Sequence, residues 1–239
     1  MKNAFCPALF CLALTAILLS CTISPPVREV PDITAGEGIE IASIPFPPPE
    51  LVPDPDLLMP EKLPKPELPH YIMGEGIIQP DDLAAFLLII NPEAERDFVE
   101  YLALLYVEEA AKEGINHDVA FAQMCIETGF LRFGNLVTPD MNNFAGLGST
   151  GLPREDGQPE RGLYFPEPRI GVRAQIQHLK AYASEDPLNQ ELVNPRYRFV
   201  RRGSSPAIWG LAGTWAADPD YADKINVILE RLYSFVYDS

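Results

Sequence analysis

Apolar residues recur at helical spacing along most of the chain after Pro80, and strand-like alternation is scarce. Pro80-Asp81-Asp82 places acids in a first helical turn, and Asn116-His117-Asp118 begins an apolar run that Gly129 closes. Asp218-Pro219 is expected to begin the last helix. The pattern predicts about six helices, over residues 80–90, 91–114, 116–129, 172–182, 205–211 and 221–237.

The segment between residues 134 and 167 has no such period. It is rich in Gly, Pro and Asn, which favours loops with one short hairpin at most. Clefts are commonly built from loops that a rigid frame carries. We therefore expect a mainly α domain with a small loop-rich or β-hairpin lobe beside a cleft.

The first twenty residues carry one basic residue, Lys2, and then an apolar run too short to span a membrane. They predict an export signal. The run ends Leu18-Leu19-Ser20-Cys21, which resembles a bacterial lipobox and implies cleavage before Cys21 and lipidation of its thiol. A cysteine that stands there by chance is the alternative. We expect an exported chain, lipid-anchored at Cys21 to a bacterial membrane and facing the periplasm or cell wall.

Residues 21–70 form the next segment, in which proline recurs too often for a helix or a central strand. Such a chain favours polyproline II at about 3.1 Å per residue, so a disordered tether could reach on the order of 100 Å. A low-complexity spacer whose length has no particular role is the alternative, and it would have the same composition. The expected organisation is a signal peptide at 1–20, a tether at 21–70 and a domain at 71–239.

The formal net charge of -16 argues against a nucleic-acid partner, because binding phosphates requires basic patches. Of four cysteines, only Cys125 lies in the expected domain, inside an apolar helix, and we expect a buried free thiol. His178 has no cysteine or second histidine nearby, so it is expected to be a packed or capping side chain. The sequence implies no metal site and no cofactor.

Glu127 occupies the last turn of the apolar helix predicted at 116–129. The negative end of the helix dipole and partial desolvation both raise the pKa of a carboxyl at this position. A protonated carboxyl near neutral pH suits a glycosidase, since the leaving sugar oxygen must receive a proton. On these grounds alone, a surface glutamate without a catalytic role fits equally well.

Several segments in order resemble the bacterial glucosaminidase family, glycoside hydrolase family 73. The segment from Ala122 to Gly129 resembles the family's catalytic-helix motif, and Asn142-Asn143-Phe144-Ala145-Gly146 resembles its Asn-Asn-aromatic-x-Gly segment. Further similar segments are 171–182, Asn194-Pro195-Arg196-Tyr197, Arg202-Gly203, Gly213-Thr214-Trp215-Ala216 and 221–225. The resemblance covers roughly residues 95–235. It implies a lysozyme-like α-helical domain in which Glu127 is the general acid.

The resemblance also implies substrate-binding residues, namely Gln123, Asn143, Phe144, Trp215 and Tyr221. Trp215 matches a position where the family places an aromatic residue beside the reacting sugar, and its ring could stack on a pyranose. A core tryptophan between two helices is the alternative. Asn143 could bind a sugar amide or hold its own loop through backbone bonds.

Family members often supply a second carboxylate from a small lobe after the acid. Here the intervening stretch is short and offers Glu155, Asp156, Glu160 and Glu167. Glu167 precedes the next helix and suits a cap. We select Glu160 as the candidate base. Inversion through distant water and attack by the substrate's acetamido group both remain open.

The function predicted is that of an endo-β-N-acetylglucosaminidase that acts as a monomer on peptidoglycan glycan strands. A non-catalytic peptidoglycan-binding lipoprotein is one alternative. A lysozyme-like lytic transglycosylase is another, although such enzymes typically follow the acid with Gly-Leu-Met-Gln, where this chain has Asn-Asn-Phe-Ala-Gly. Products ending in anhydro-muramic acid would distinguish the transglycosylase.

Overall fold

The computed structural model describes residues 64–134, 136–149, 152, 155–158 and 160–238. Within them the chain forms five α-helices: α1 (Pro80–Ile90), α2 (Arg96–Glu113), α3 (His117–Thr128), α4 (Pro168–Ala183) and α5 (Tyr221–Tyr237). Short 3₁₀ helices lie at Pro139–Met141, Tyr197–Phe199 and Ile208–Leu211. Only isolated β-bridges are present in this part of the chain. The mainly α fold is confirmed.

Capping residues set the limits of the central helices. The Asn116 side chain accepts hydrogen bonds from the backbone N–H groups of Asp118 and Val119, and Gly129 ends α3 in the left-handed conformation. The predicted start of α2 at Asn91 is wrong, because Asn91 instead ends α1. Glu95 begins α2, since its carboxylate accepts the N–H groups of residues 97 and 98.

Other predicted limits also differ from the structure. Helix α4 begins at Pro168 rather than at Val172, because Pro suits a first helical position and Glu167 has the extended backbone of an N-cap. The Glu167 side chain makes no capping bond. Helix α5 covers the predicted range, Tyr221–Tyr237, although its N-cap is Asp220 rather than Asp218. The segment predicted at 205–211 supplies a 3₁₀ helix only from Ile208.

Helix α3 lies inside the domain, and ten of its twelve residues are buried. Helices α2, α4 and α5 pack against it, α1 packs on α2 and α5, and together they bury a continuous apolar cluster. At its centre the rings of Tyr106 on α2 and Phe121 on α3 meet edge to face, with centroids 5.6 Å apart. Cys125 is a buried free thiol, as expected.

Buried ion pairs join α2 to α4. The Glu109 carboxylate, which has no solvent exposure, lies 2.8 Å from Arg173 Nε, 2.9 Å from Arg169 Nη1 and 2.7 Å from Lys112 Nζ. Burial alone would raise the pKa of Glu109, but hydrogen bonds from these three cations lower it to about 2. The charge network holds α4 in register against α2.

The lobe beside the helices consists of loops in its described residues. Backbone hydrogen bonds from Leu163 N to Leu147 O (2.7 Å) and from Phe165 N to Met141 O (2.9 Å) hold the lobe together. These described residues do not form a regular β-strand. Helix α4 meets the lobe at Gly171. A Cβ there would lie 1.7 Å from the Asn142 carbonyl oxygen, so only glycine permits this approach.

Residues that precede Tyr71 also pack against the helices. Lys65 donates a 2.8 Å hydrogen bond to Ser234 and forms an ion pair with Glu230, and Leu68 packs against the core. The predicted export signal, the predicted lipidation site Cys21 and the predicted tether up to residue 63 lie outside the described residues. In the described part, no helix is long and apolar enough to cross a bilayer.

Candidate active site

The Glu127 carboxyl lies at the end of α3, where the helix meets the loop lobe. Its Oε1 accepts a hydrogen bond from the Trp215 indole N–H (2.9 Å) and a second from the Tyr221 hydroxyl. Its Oε2 lies beside Gly146, because a Cβ built on that glycine would be 3.5 Å from this oxygen. One carboxyl oxygen is thus held by two donors, and the other lies toward Gly146.

The electrostatic environment of Glu127 favours its neutral form. Burial raises its pKa above the ordinary glutamate value, and the hydrogen bonds from Tyr221 and Trp215 offset only part of that rise. The side chain is nevertheless not fully enclosed. A partly desolvated carboxyl beside a cleft is suited to donating a proton.

A cleft of about 260 Å³ lies next to Glu127. It is bounded by the loop that contains Gly146, by the end of α4 and by the loop that contains Trp215. Its lining residues are Ala145, Gly146, Leu147, Gly148, Ser149, His178, Tyr182, Arg196, Thr214 and Trp215. Glu127 is not itself one of these lining residues, but its carboxyl lies next to two of them, Gly146 and Trp215.

Three aromatic side chains, His178, Tyr182 and Trp215, form one side of the cleft, which we call the aromatic wall. The Trp215 ring centroid lies 5.0 Å from that of His178 and 5.7 Å from that of Tyr182. Trp215 is partly buried against the core and also lines the cleft. Stacking of its ring on a sugar stays a prediction. Its hydrogen bond to Glu127 was not foreseen.

The imidazole of His178 is neutral near pH 7. Burial and the nearby positive charge of Arg196 lower its pKa to about 4. The Asn194 amide lies 2.9 Å from Nδ1 and donates to this neutral ring. His178 is therefore a packed side chain that also belongs to the aromatic wall.

Gln123 and Tyr221 lie behind Glu127 and are buried. Gln123 Nε2 donates to the Tyr221 hydroxyl oxygen (3.1 Å), and that hydroxyl donates to Glu127. The structure brings both residues to the acid through hydrogen bonds. Direct contact of either with a substrate stays a prediction.

Asn143 directs its side chain into its own loop. The amide nitrogen donates to Leu147 O (2.9 Å) and Leu163 O (3.0 Å), while the amide oxygen accepts from Leu147 N (2.9 Å). The side chain is 1% exposed, so it can bind a sugar only if these bonds break. In this structure Asn143 holds its own loop through backbone hydrogen bonds, which is the second of the two roles considered for it.

Phe144 also points inward. Its side chain is 1% exposed and packs near Phe98 and Phe133, with ring centroids 6.4 Å away in each case. It anchors the loop that contains Gly146 to the hydrophobic core. A direct substrate contact for Phe144 stays a prediction that this geometry does not favour.

Glu160 belongs to the loop lobe that follows α3. Its backbone N–H donates to Leu152 O at 2.8 Å, which places it in the outer loop of the lobe. It is not among the described residues that line the cleft. Its role as a base stays a prediction.

Sequence reasoning did not select Tyr182, Arg196 or Gln175 as site residues. The first two line the cleft, and Gln175 is hydrogen-bonded to Gln123 at 2.9 Å. A glutamine at a buried position of an apolar helix face was the available signal for Gln175. In the described residues, no group of three or more His, Cys, Asp or Glu side chains is arranged to hold a metal ion.

Comparison with known proteins gives a family. The family model described as mannosyl-glycoprotein endo-β-N-acetylglucosaminidase matches residues 103–234, a range that contains Glu127, Trp215 and Tyr221. A Borreliella burgdorferi protein, described as an uncharacterized protein, is 38% identical over 165 residues, which cover 69% of this chain and 78% of the relative. No solved structure gives a significant match. The chain belongs to the glucosaminidase family of glycoside hydrolases.

Proposed function

We propose that this protein is a peptidoglycan hydrolase, an endo-β-N-acetylglucosaminidase that cleaves the glycosidic bond after N-acetylglucosamine, with Glu127 as its general acid. The observation that carries the proposal is the Glu127 carboxyl itself. It is desolvated enough to raise its pKa, it lies beside the cleft, and it falls within the range that the family model matches.

The acid step uses the two oxygens of Glu127 differently. Oε2 lies beside Gly146 and would donate its proton to the glycosidic oxygen as the bond to the anomeric carbon breaks. The negative charge left on the carboxylate is stabilised at Oε1 by the Trp215 N–H and the Tyr221 O–H. Neither donor has to move during the step.

The aromatic wall gives the substrate a surface on which to pack. Apolar faces of pyranose rings stack on aromatic side chains, and a few polar groups then set their orientation. In this cleft the polar groups include Ser149, Arg196 and Thr214. A glycan strand that lies along the wall would bring one glycosidic bond close to Glu127.

Completion of the reaction requires a nucleophile on the opposite face of the sugar. Glu160 is the proposed base for a water molecule, and attack by the substrate's own acetamido oxygen is the other route. Glu160→Gln separates them. A loss of at least about a hundredfold would support the base, whereas retained turnover would support the acetamido route.

The decisive experiment is mass spectrometry of purified peptidoglycan glycan after digestion with the full-length protein. New reducing ends at N-acetylglucosamine would support the proposal. Reducing or anhydro ends at muramic acid would overturn it in favour of a lysozyme-like or transglycosylase reaction. Binding without cleavage would indicate the non-catalytic alternative.

Glu127→Gln is the matched control for that digestion. An amide keeps the side-chain volume and can still accept from Trp215 and Tyr221, but it has no acidic proton to give. We expect turnover to fall by about 10²–10⁴-fold with little change in the melting temperature. Retention of more than about a tenth of the activity would contradict the acid assignment.

A further inference from the structure

A buried chain of side-chain hydrogen bonds leads from α2 to Glu127. The Tyr106 hydroxyl donates to Gln175 Oε1 (2.5 Å), Gln175 Nε2 donates to Gln123 Oε1 (2.9 Å), and Gln123 Nε2 donates to the Tyr221 oxygen (3.1 Å). The Tyr221 hydroxyl then donates to Glu127 Oε1. We call these four side chains before the acid, Tyr106, Gln175, Gln123 and Tyr221, the relay.

One backbone carbonyl determines the direction of the relay. Gln175 Nε2 also donates to Ala120 O (3.0 Å), and a carbonyl oxygen can only accept. The nitrogen of the Gln175 amide must therefore face Ala120 and Gln123, and its oxygen must face Tyr106. Gln123 has to present its oxygen to Gln175, which leaves its nitrogen to donate to Tyr221.

The direction of the hydrogen bonds in the relay determines which oxygen of Glu127 carries the proton. Because the Tyr221 oxygen already accepts from Gln123, its own proton is directed to Glu127 Oε1. The Trp215 N–H occupies the same oxygen. A carboxyl proton on Oε1 would face two donors and no acceptor, so the proton of neutral Glu127 belongs on Oε2, beside Gly146.

We propose that Tyr106, Gln175 and Gln123 are positioning residues that act through Tyr221 to keep the proton of Glu127 on Oε2, the oxygen beside Gly146 that accepts neither of the two hydrogen bonds. This inference rests on the proposed role of Glu127 as the acid. It also gives Gln123 and Tyr221 a function other than the sugar contact that the family resemblance implied.

Burying the polar groups of the relay lowers the stability of the fold unless each group has a hydrogen-bond partner. Gln123, Gln175 and Tyr106 all have 0% exposure, and they stand among apolar residues of the core. An amide buried without a partner is destabilising, whereas an apolar side chain of similar size would fill the same space without that requirement. A fully satisfied directional network is consistent with a role at the acid that apolar packing cannot supply.

The test measures kcat, KM and their pH dependence on peptidoglycan glycan for full-length Gln123→Met and Gln175→Met. Each variant keeps the side-chain length. Gln123→Met removes the donor to the Tyr221 oxygen, and Gln175→Met removes the donor that fixes the orientation of the Gln123 amide, so in both variants the Tyr221 oxygen can accept the Glu127 proton. We expect kcat to fall about five- to tenfold with KM nearly unchanged. The basic limb of the kcat profile should move to higher pH, because a donor that lowers the pKa of Glu127 is weakened.

Gln177→Met is the matched control. Gln177 lies on α4, the helix that carries Gln175, and is equally buried. Its side chain forms hydrogen bonds with the backbone of Glu191, Val193 and Asn194 rather than with the relay. It should lower the melting temperature without moving the basic limb. An equal shift in Gln177→Met, or an unmoved limb in a folded relay variant, would overturn the proposal.

Tyr221→Phe keeps the proposal testable if the methionine variants do not fold, because it removes a single oxygen at the end of the relay. Its basic limb should also move to higher pH, and an unchanged limb would contradict the inference. Neighbouring groups do not obscure this limb. The pKa of Tyr221 and of Cys125 is raised above the ordinary value, and that of His178 is lowered to about 4.

A measurement without turnover separates this inference from the proposed function. The Glu127 carboxyl carbon can be titrated by ¹³C NMR in protein labelled at glutamate side-chain carboxyls and assigned with Glu127→Gln. The relay variants should raise the pKa of Glu127 relative to wild type, and Gln177→Met should not. If wild type cuts no glycan, the proposed function fails while this titration still decides the relay.

Discussion

The indole nitrogen of Trp215 lies 2.9 Å from Oε1 of Glu127, the same oxygen that accepts a hydrogen bond from the Tyr221 hydroxyl. Trp215 therefore belongs to the aromatic wall through its ring and to the acid through its N–H. These two contributions are separable, because phenylalanine retains a ring but no donor.

Trp215→Phe should lower kcat about tenfold with a smaller effect on KM, because a hydrogen bond to the developing carboxylate is lost. Trp215→Ala should in addition raise KM, since the wall then loses its ring contacts with His178 and Tyr182. Steady-state kinetics on glycan strands provide both constants.

Trp209→Phe is the control for these variants. It is the other tryptophan of the chain, and its side chain is 65% exposed beside Tyr71. It should leave both constants unchanged. If Trp215→Phe retained wild-type kcat, the N–H on Glu127 would have no catalytic effect.

Glu109→Gln should lower the free energy of unfolding by about 3 kcal/mol at pH 7, because Arg169 and Arg173 lose a buried carboxylate. The pKa of Glu109 falls from an ordinary 4.5 to about 2 in the fold. Its stabilisation is therefore complete above about pH 4.5 and is lost as the pH falls toward 2. Urea unfolding between pH 7 and pH 2 should show the two proteins converging in that window.

Glu108→Gln provides the comparison for Glu109. Glu108 also pairs with Arg169, at 2.6 Å, but 39% of its side chain is exposed. Surface pairs contribute little, so we expect a loss of about 1 kcal/mol at most. Equal losses in the two variants would argue against the buried network.

Gly171→Ala should destabilise the domain by about 3 kcal/mol or more, because the new methyl group would overlap the Asn142 carbonyl. Helix α4 would have to move away from the loop that carries Asn143. Gly134→Ala is the matched control, since a Cβ there meets nothing within 4 Å. Thermal unfolding should separate the two variants, and similar midpoints would mean that α4 and the loop are not in this contact.

Cys21→Ala tests the proposed lipid anchor, which depends on the sequence alone. We expect the variant to accumulate as an uncleaved or mislocalised precursor that takes up no labelled fatty acid, because the alanine has no thiol to be acylated. Metabolic labelling followed by fractionation measures this. Labelling equal to that of the unaltered chain would exclude lipidation at Cys21.

Local chemistry made part of this protein predictable from its sequence. A helix cap is decided by groups within four residues of one another, which is why Asn116 and Gly129 indicated the limits of α3 and the position of Glu127 in its last turn. The start of α2 was missed because local chemistry offers two possible caps there. Glu95 competes with Asn91 for the helix start, and tertiary contacts such as the Asn91 bond to Phe130 O decide between them.

Tertiary structure alone decided what surrounds the acid. Asn143 and Phe144 stand side by side in a recognisable segment, yet both turn inward, because burial there depends on α4 approaching at Gly171. Tyr221 reaches Glu127 across 94 residues of sequence. Periodicity shows that such a residue lies on a buried face, but its hydrogen-bond partner depends on how distant helices pack, and no local pattern records that packing.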